Sequence, residues 1–343
     1  MTPIKKAELC YIIAFPDPAK ESTEPKEHIR GLKDAPYFQP VDIDVRTLGQ
    51  AEVQAGGVQV SVLRQRYDDH IQIVDCRYQM EDVLSAAAIQ QRGIIEKNLR
   101  ERFIPVEYQT SGMFEEYFIL LLTKTTPTPE KFIDKYASQI GRFIRSQREV
   151  FGQPELEQIL SSRIRYSTED LTLVDWEGAV MIAANGDHQS DIELIKVGNF
   201  QLLRYRMLDE SIEQMLDNIN EAFIANRRRP RPTRGAIREI IQHRLEVMLN
   251  FERTEQNLLL IGDWYTAKLY TTIRDEFYLE EWKNTIRSKL DNLESIVQTI
   301  KDNLAISWEN LLDRIQLAMW ILLLFGYLYL YFLDAGWLII PPK

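Results

Sequence analysis

Ile315 to Leu333 reads IQLAMWILLLFGYLYLYFL, about 19 residues without a charged side chain, and no other stretch limits the chain as severely. A helix of that length rises about 28 Å, close to the hydrocarbon thickness of a bilayer. It also satisfies its own backbone hydrogen bonds, as a lipid-facing segment must. Asp313 and Arg314 on one side and Asp334 on the other bound the run at bilayer width. Trp320 near one end, Tyr327, Tyr329 and Tyr331 toward the other, and Trp337 beyond it set amphipathic rings at headgroup level. The residues therefore predict a transmembrane helix over 315–333, a short tail over 334–343, and a membrane as the first partner.

At the other end, Lys5 and Lys6 precede LCYIIAF. That run is too short for a comfortable export signal and is followed at once by Pro16, Asp17 and Pro18, so it reads as a strand. A tail-anchored, single-pass protein with a cytoplasmic N-terminal domain is the expectation. Arg287, Lys289, Lys301 and Arg314 before the span, against Lys343 after it, agree with the positive-inside pattern.

The rest of the chain predicts an α+β head over 1–190, a mixed sheet with packed helices. Lys6–Phe15, Gly57–Arg66 and His70–Gln79 are β-branched and aromatic runs, the last two joined at Asp68 and Asp69 as a hairpin. Residues 16–40 carry five prolines and many charges, an irregular excursion. Glu81–Phe103 has helical spacing, and Tyr117–Leu122 is continuously apolar, as a strand covered on both faces would be. Thr128, Pro129 and Glu130 open another helix. LTLVDWEGAVMIAANGD offers two short strands with a turn at Asn185 and Gly186. Beyond residue 190 the pattern is helical and predicts a hairpin or coiled-coil stalk over 191–314. In its last helix Ile286, Leu290, Leu293, Val297, Ile300, Leu304 and Leu311 alternate steps of four and three, a seam that predicts self-association into a homo-oligomer.

Composition removes several function classes. With 41 Lys plus Arg against 51 Asp plus Glu, a body that coats nucleic acid is disfavoured. Cys10 and Cys76 lie in apolar, β-prone contexts and read as buried hydrophobes rather than a disulfide framework. The four histidines never fall at metal-ligand spacing, and there is no Walker A, G-x-G-x-x-G or G-x-S-x-G motif, so no cofactor is expected. One acid-rich group, Asp175, Glu177, Asp187, His188 and Asp191, surrounds the strand pair at Trp176–Ala183. It offers either a metal-dependent site at Asp175, Asp187 and His188 or a set of solvated turn and N-cap residues, and the latter needs no ligand.

DWEGAVMIAANGD, GNFQLLRYRMLD, GDWYTAKLYTTIRDEFYLEEW and KLDNLESIVQTIKDNL leading into IQLAMWILLLF form an ordered series, with Trp264, Tyr265, Trp282, Lys289 and Leu290 among its positions. Over Asp175–Leu333 the series resembles bacterial relatives of the family of unknown function whose eukaryotic members are the "required for meiotic nuclear division" proteins. The resemblance implies a C-terminally anchored protein without known catalysis; a mitochondrial member supports organelle translation at the inner membrane.

NRRRPRPTRG remains. Pro230, Pro232 and Gly235 make it an inter-helix loop, yet Arg227, Arg228, Arg229, Arg231 and Arg234 exceed what solvation needs. Guanidinium forks suit phosphate, so anionic lipid or an acidic protein surface is the expected contact, ahead of RNA or the ribosome because no aromatics interleave for stacking. The function expected from the sequence is a noncatalytic membrane-anchored scaffold or tether, with the metal-dependent enzyme and the RNA tether as alternatives.

Overall fold

A computed structural model describes residue 4, residues 6–17, residues 43–220 except 69, 124, 126 and 127, residues 242, 245, 248 and 249, and residues 264–335. The chain divides into a compact unit from Met1 to Arg287 and a second from Ser288 to Lys343.

The first unit is built on an eight-stranded mixed sheet. Its strands are β1 (Lys6–Pro16), β2 (Val45–Ala55), β3 (Val58–Tyr67), β4 (Ile71–Glu81), β5 (Glu115–Leu122), β6 (Arg163–Ile164), β7 (Leu171–Val174) and β8 (Gly178–Ile182), in spatial order β2-β3-β4-β1-β5-β8-β7-β6. Every neighbouring pair is antiparallel except β5 and β8. The β3–β4 hairpin forms where Asp68 and Asp69 predict it. The pair Gly56 and Gly57 joins β2 to β3 with φ of +55° and +84°, left-handed values that a two-residue hairpin turn needs. A Cβ at Gly56 would also lie 2.7 Å from Ile95, so only glycine lets the turn reach the first helix.

Helices cover both faces of the sheet. On one face lie α1 (Ala86–Phe103, capped by the Ser85 hydroxyl), α2 (Val106–Ser111), α3 (Pro129–Lys135, capped by Thr128), α4 (Ala137–Ile144) and α5 (Gln153–Ile159). Because strand side chains alternate, Leu9, Tyr11 and Ile13 of β1 and Val74, Cys76 and Tyr78 of β4 point this way, into a core with Ile95, Leu99, Ile140 and Phe143. Each such aliphatic side chain contributes about 1.5–3 kcal/mol by leaving water. Cys10 and Cys76 are free and buried, as expected.

The other face is covered by α6 (Gln189–Asn220), which packs on β1, β4 and β5. Ile192, Ile195, Phe200, Leu203 and Ile212 are buried along it. The sequence reading assigned these residues to a stalk, but here they form the second layer of the sheet domain, inside the unit that runs to Arg287. Arg206 reaches from α6 to the start of β5, where it binds the Glu115 carboxylate and donates to the carbonyls of Phe114 (3.0 Å) and Gly112 (2.7 Å).

Another helix, labelled α7 (Trp264–Glu276), lies against α6 at Gly198, where a Cβ would come within 2.6 Å of Ile273. Tyr278, with φ +52°, turns the chain into α8 (Leu279–Asp334). Of the predicted seam, Ile286 and Leu293 are buried and Leu290 is half-buried; the side chains of Val297, Ile300, Leu304 and Leu311 lie outside the described residues. Leu312–Asp334, 23 residues with mean hydropathy 1.8 and no burial over its most apolar window, is long and apolar enough to cross a membrane. Trp320, Tyr327, Tyr329 and Tyr331 are exposed on it, and Trp337 falls outside the described residues.

Candidate functional site

Three groups of polar side chains stand out in the sheet domain. The first lies under α6. Sheet alternation sends Cys10, Asp75, Arg77 and Tyr67 toward this helix, and α6 answers with Glu193 and Lys196. The Lys196 ammonium, wholly buried, is 2.9 Å from Asp75 Oδ2 and 3.0 Å from Glu193 Oε1. Arg77 binds Asp75 at 3.1–3.2 Å and Gln189 at 3.0 Å. The Cys10 thiol donates to Asp75 (3.2 Å), and the Tyr67 hydroxyl donates to Glu193 (3.3 Å). Burial alone would raise the Asp75 carboxyl, but Lys196 and Arg77 outweigh it and hold the group well below the usual carboxylate range. Burial pushes the Cys10 thiol up, away from reactivity. Each charge here is met by another, so the cluster reads as a structural bolt between helix and sheet. Sequence reasoning missed it; the one signal was an Asp-x-Arg pair on the phase of β4 otherwise held by Ile71 and Ile73.

The second group lines a cleft of about 270 Å³ at the amino ends of β5 and β8, where β5 begins ahead of the start of β8. Glu96, Glu115, Glu116 and Glu177 face it, with Trp176 and Phe277 as apolar wall. Each glutamate has an arginine behind it. Arg92 is 3.1 Å from Glu96, Arg100 is 3.0 Å from Glu116, Arg206 binds Glu115, and Arg145 is 3.8 Å from Glu177 and 2.9 Å from Asp175. Tyr11 donates to Glu116 at 2.6 Å. Burial, helped by the like charge of Glu116 and opposed by Arg92, pushes Glu96 up to about 7. Arg92 itself, buried between the rings of Phe118 and Phe143 at 3.8 and 4.4 Å, donates to the Phe143 carbonyl (2.7 Å).

The third group lies at the opposite end, at the carboxyl ends of the parallel strands β5 and β8, the end at which open α/β sheets bind ligands. A cleft of about 550 Å³ is lined there by Lys6, Glu8, Gln79, Thr123, Thr125 and His188 over a floor that includes Leu121 and Phe132. Among the described residues, His188, only 9% exposed, has no partner for its buried Nε2, and the buried Thr125 hydroxyl has none either. Leaving such a group unpaired costs about 1–3 kcal/mol. Burial, together with Arg77 and against Asp187, lowers the His188 pKa, so the ring is neutral at pH 7.

The predicted acid-rich group is dispersed by this geometry. Asp175 sits before β8, bound to Arg145, while Asp187 and His188 follow that strand at its other end. Asp187 accepts from the Gln189 N–H (3.2 Å) at the start of α6. Asp191 accepts from the hydroxyls of Thr172 (2.6 Å) and Tyr265 (2.8 Å), which ties α7 to the sheet. Among the described residues no three of His, Cys, Asp or Glu are placed to hold a metal ion. The loop Arg227, Arg228, Arg229, Arg231 and Arg234 lies outside the described residues.

With this geometry in place, comparison with known proteins points one way. Residues 20–188 match the family model described as "Uncharacterized protein MJ0711, N-terminal domain". The chain is similar to an uncharacterized family. A protein of Methanocaldococcus jannaschii, also described as uncharacterized protein MJ0711, is 22% identical over 213 residues, 62% of this chain and 66% of that protein. No solved structure matches. The family match runs from residue 20 to His188, so it takes in β2 to β8, leaves out β1, which lines both clefts, and stops where α6 begins.

Proposed function

We propose that this chain is a noncatalytic scaffold or tether, held at a membrane by Leu312–Asp334 with the unit Met1–Arg287 on the cytoplasmic side. The observation that carries the reading is the apolar helix itself, whose Leu322, Leu324 and Tyr327 are 74, 65 and 78% exposed. A water-soluble protein rarely leaves a contiguous apolar surface of that extent uncovered. The basic residues Arg287, Lys289, Lys301 and Arg314 before the span support the orientation. The resemblance of residues 175–333 to the meiotic nuclear division relatives favours the same reading. In this proposal the arginines of residues 227–234 meet anionic headgroups, and copies associate through α8. The noncatalytic part is supported by the acids of the smaller cleft, each already paired with a guanidinium.

Membranes from cells expressing the full chain, washed with alkaline carbonate, test the anchor. The protein should stay in the pellet, and a form lacking Leu312–Asp334 should move to the supernatant. Extraction of the intact chain by carbonate would refute anchoring.

A further inference from the structure

The smaller cleft is a gap at the end of the sheet. β8 first meets β5 where Gly178 pairs with Phe118, so Glu115 to Tyr117 have no strand beside them on that edge. One side of the gap is walled by α6 and α7. Glu115 and Tyr117, two residues apart on the strand, both face that side, Glu115 bound by Arg206 and Tyr117 packed on Phe277 with ring centroids 5.1 Å apart. Asn199, Leu202 and Arg206 follow one stripe of α6, and the first two line the cleft. Trp176 meets the Phe277 ring at 81° and 6.5 Å and makes an aromatic corner of the same wall.

Within this wall the Asn199 amide is only half satisfied by the protein, although the residue is 2% exposed. Its Nδ2 donates to the Ile195 carbonyl one turn earlier (2.9 Å), which fixes the orientation of the amide and leaves Oδ1 as the end turned to the cleft. That oxygen accepts from no described residue and, unlike His188 Nε2, is not closed off by protein atoms. Polar groups this deep are nearly always paired, so a donor that enters through the cleft is the partner it lacks.

The surroundings specify the donor. Among the described residues no lysine or arginine lines the cleft, and the five carboxylates around it share four guanidiniums, because Arg145 serves both Asp175 and Glu177. With all of them ionised, one negative charge is left over. Burial raises the Glu115 carboxyl above its usual value although Arg206 lowers it, and Glu116 adds to the rise. Surplus negative charge beside ring faces attracts an organic cation, and the apolar part of the wall suits a hydrocarbon stem.

We propose that the smaller cleft binds a small primary amine as its ammonium ion, the charged end toward Asn199 Oδ1 and Glu115 and the stem against Leu202, Phe277 and Trp176. The assignment does not depend on membrane anchoring and stands or falls separately from it.

Isothermal titration of the full chain in detergent at pH 7, against protein-free micelles, with isoamylamine, isoamyl alcohol and isovalerate tests it. The amine should bind with a dissociation constant below about 1 mM, and the neutral and anionic isosteres should bind about 10-fold more weakly or worse. Asn199→Leu should weaken the amine about 10-fold, and Glu115→Gln should bring it close to the alcohol. The comparison of amine with alcohol needs no variant, so it decides the matter even where Asn199→Leu does not fold. No heat from the amine up to about 10 mM, which would mean that water alone answers Asn199, would overturn the proposal, as would equal binding of amine and alcohol or amine binding unchanged in both variants.

Discussion

Replacing Lys196 with methionine is the most severe test of how the sheet domain is held together. The ammonium is wholly buried and lies within 3.0 Å of two carboxylates, Asp75 and Glu193. Methionine fills much of the space but leaves Asp75 with Arg77 and the Cys10 thiol, and Glu193 with Tyr67 and Gln189. Breaking a buried pair from one side costs about 3–5 kcal/mol, a large fraction of the 5–15 kcal/mol that a domain usually has. At about 2–4 °C per kcal/mol for a domain of this size, the melting temperature at pH 7 should fall by about 6–20 °C. The pH dependence should change sign. In the natural protein Asp75 is held below its unfolded value, so its stabilisation is present above pH 4 and lost as pH falls further. Without Lys196, burial raises the carboxyl instead, the folded state takes up a proton, and the variant gains stability as pH drops from 7 toward 5. A triple variant, Lys196→Met with Asp75→Leu and Glu193→Leu, should recover much of the loss. Differential scanning fluorimetry between pH 5 and 8 reads all of this. A single variant that melts within about 1 °C of the natural protein would show that the cluster is not a bolt.

Glu96 gives a second pH signature with the opposite direction. Its folded value of about 7 lies above the usual 4.5, so its contribution is full at low pH and lost as pH rises from 4.5 through 7, and the melting curve of Glu96→Gln should fall less over that window. Equal slopes for the two proteins would refute the assigned burial. Gly198→Val should destabilise by about 1–3 kcal/mol, since its side chain enters space held by Ile273 and Phe277, and should raise hydrogen exchange in α7 ahead of the sheet. Unchanged protection of α7 would mean that α6 and α7 do not meet at that glycine.

How far the sequence disclosed this fold depends on whether a residue's surroundings are local. Thr128 and Pro129 act within a single turn and mark the start of α3 as expected, whereas α1 begins at Ala86 behind the Ser85 cap, five residues later than the spacing from Glu81 suggested. The β3–β4 hairpin and the buried strand β5 are equally local, set by a turn and by an unbroken apolar run. The edge strand β2 escaped because Gly49, Gln50, Ala51 and Glu52 face solvent and carry no two-residue alternation there. The role of α6 escaped for a different reason. Its helical period is plain, but a period tells which face is apolar and nothing about what covers it, and the sheet's second face supplies that partner from residues more than a hundred positions earlier. Lys196 and Asp75 are the extreme case: each alone looks like a solvated charge, and only their meeting makes burial tolerable. His188 was singled out by its neighbours in sequence, Asp187 and Asp191. The structure buries its ring, with Nε2 unpaired among the described residues, while Asp175 stays at the far end of β8.

One helix therefore fixes both ends of the domain. The start of α6 carries His188 and the Asp187 cap beside the larger cleft, its middle is pinned by Lys196 and by the close approach at Gly198, and farther along Arg206 reaches across to the first residues of β5 at the smaller cleft. A helix held at three points cannot slide or roll without breaking a buried pair or driving a side chain into Ile273. That constraint fixes the start of α6 against the sheet, so the larger cleft keeps its shape on that side.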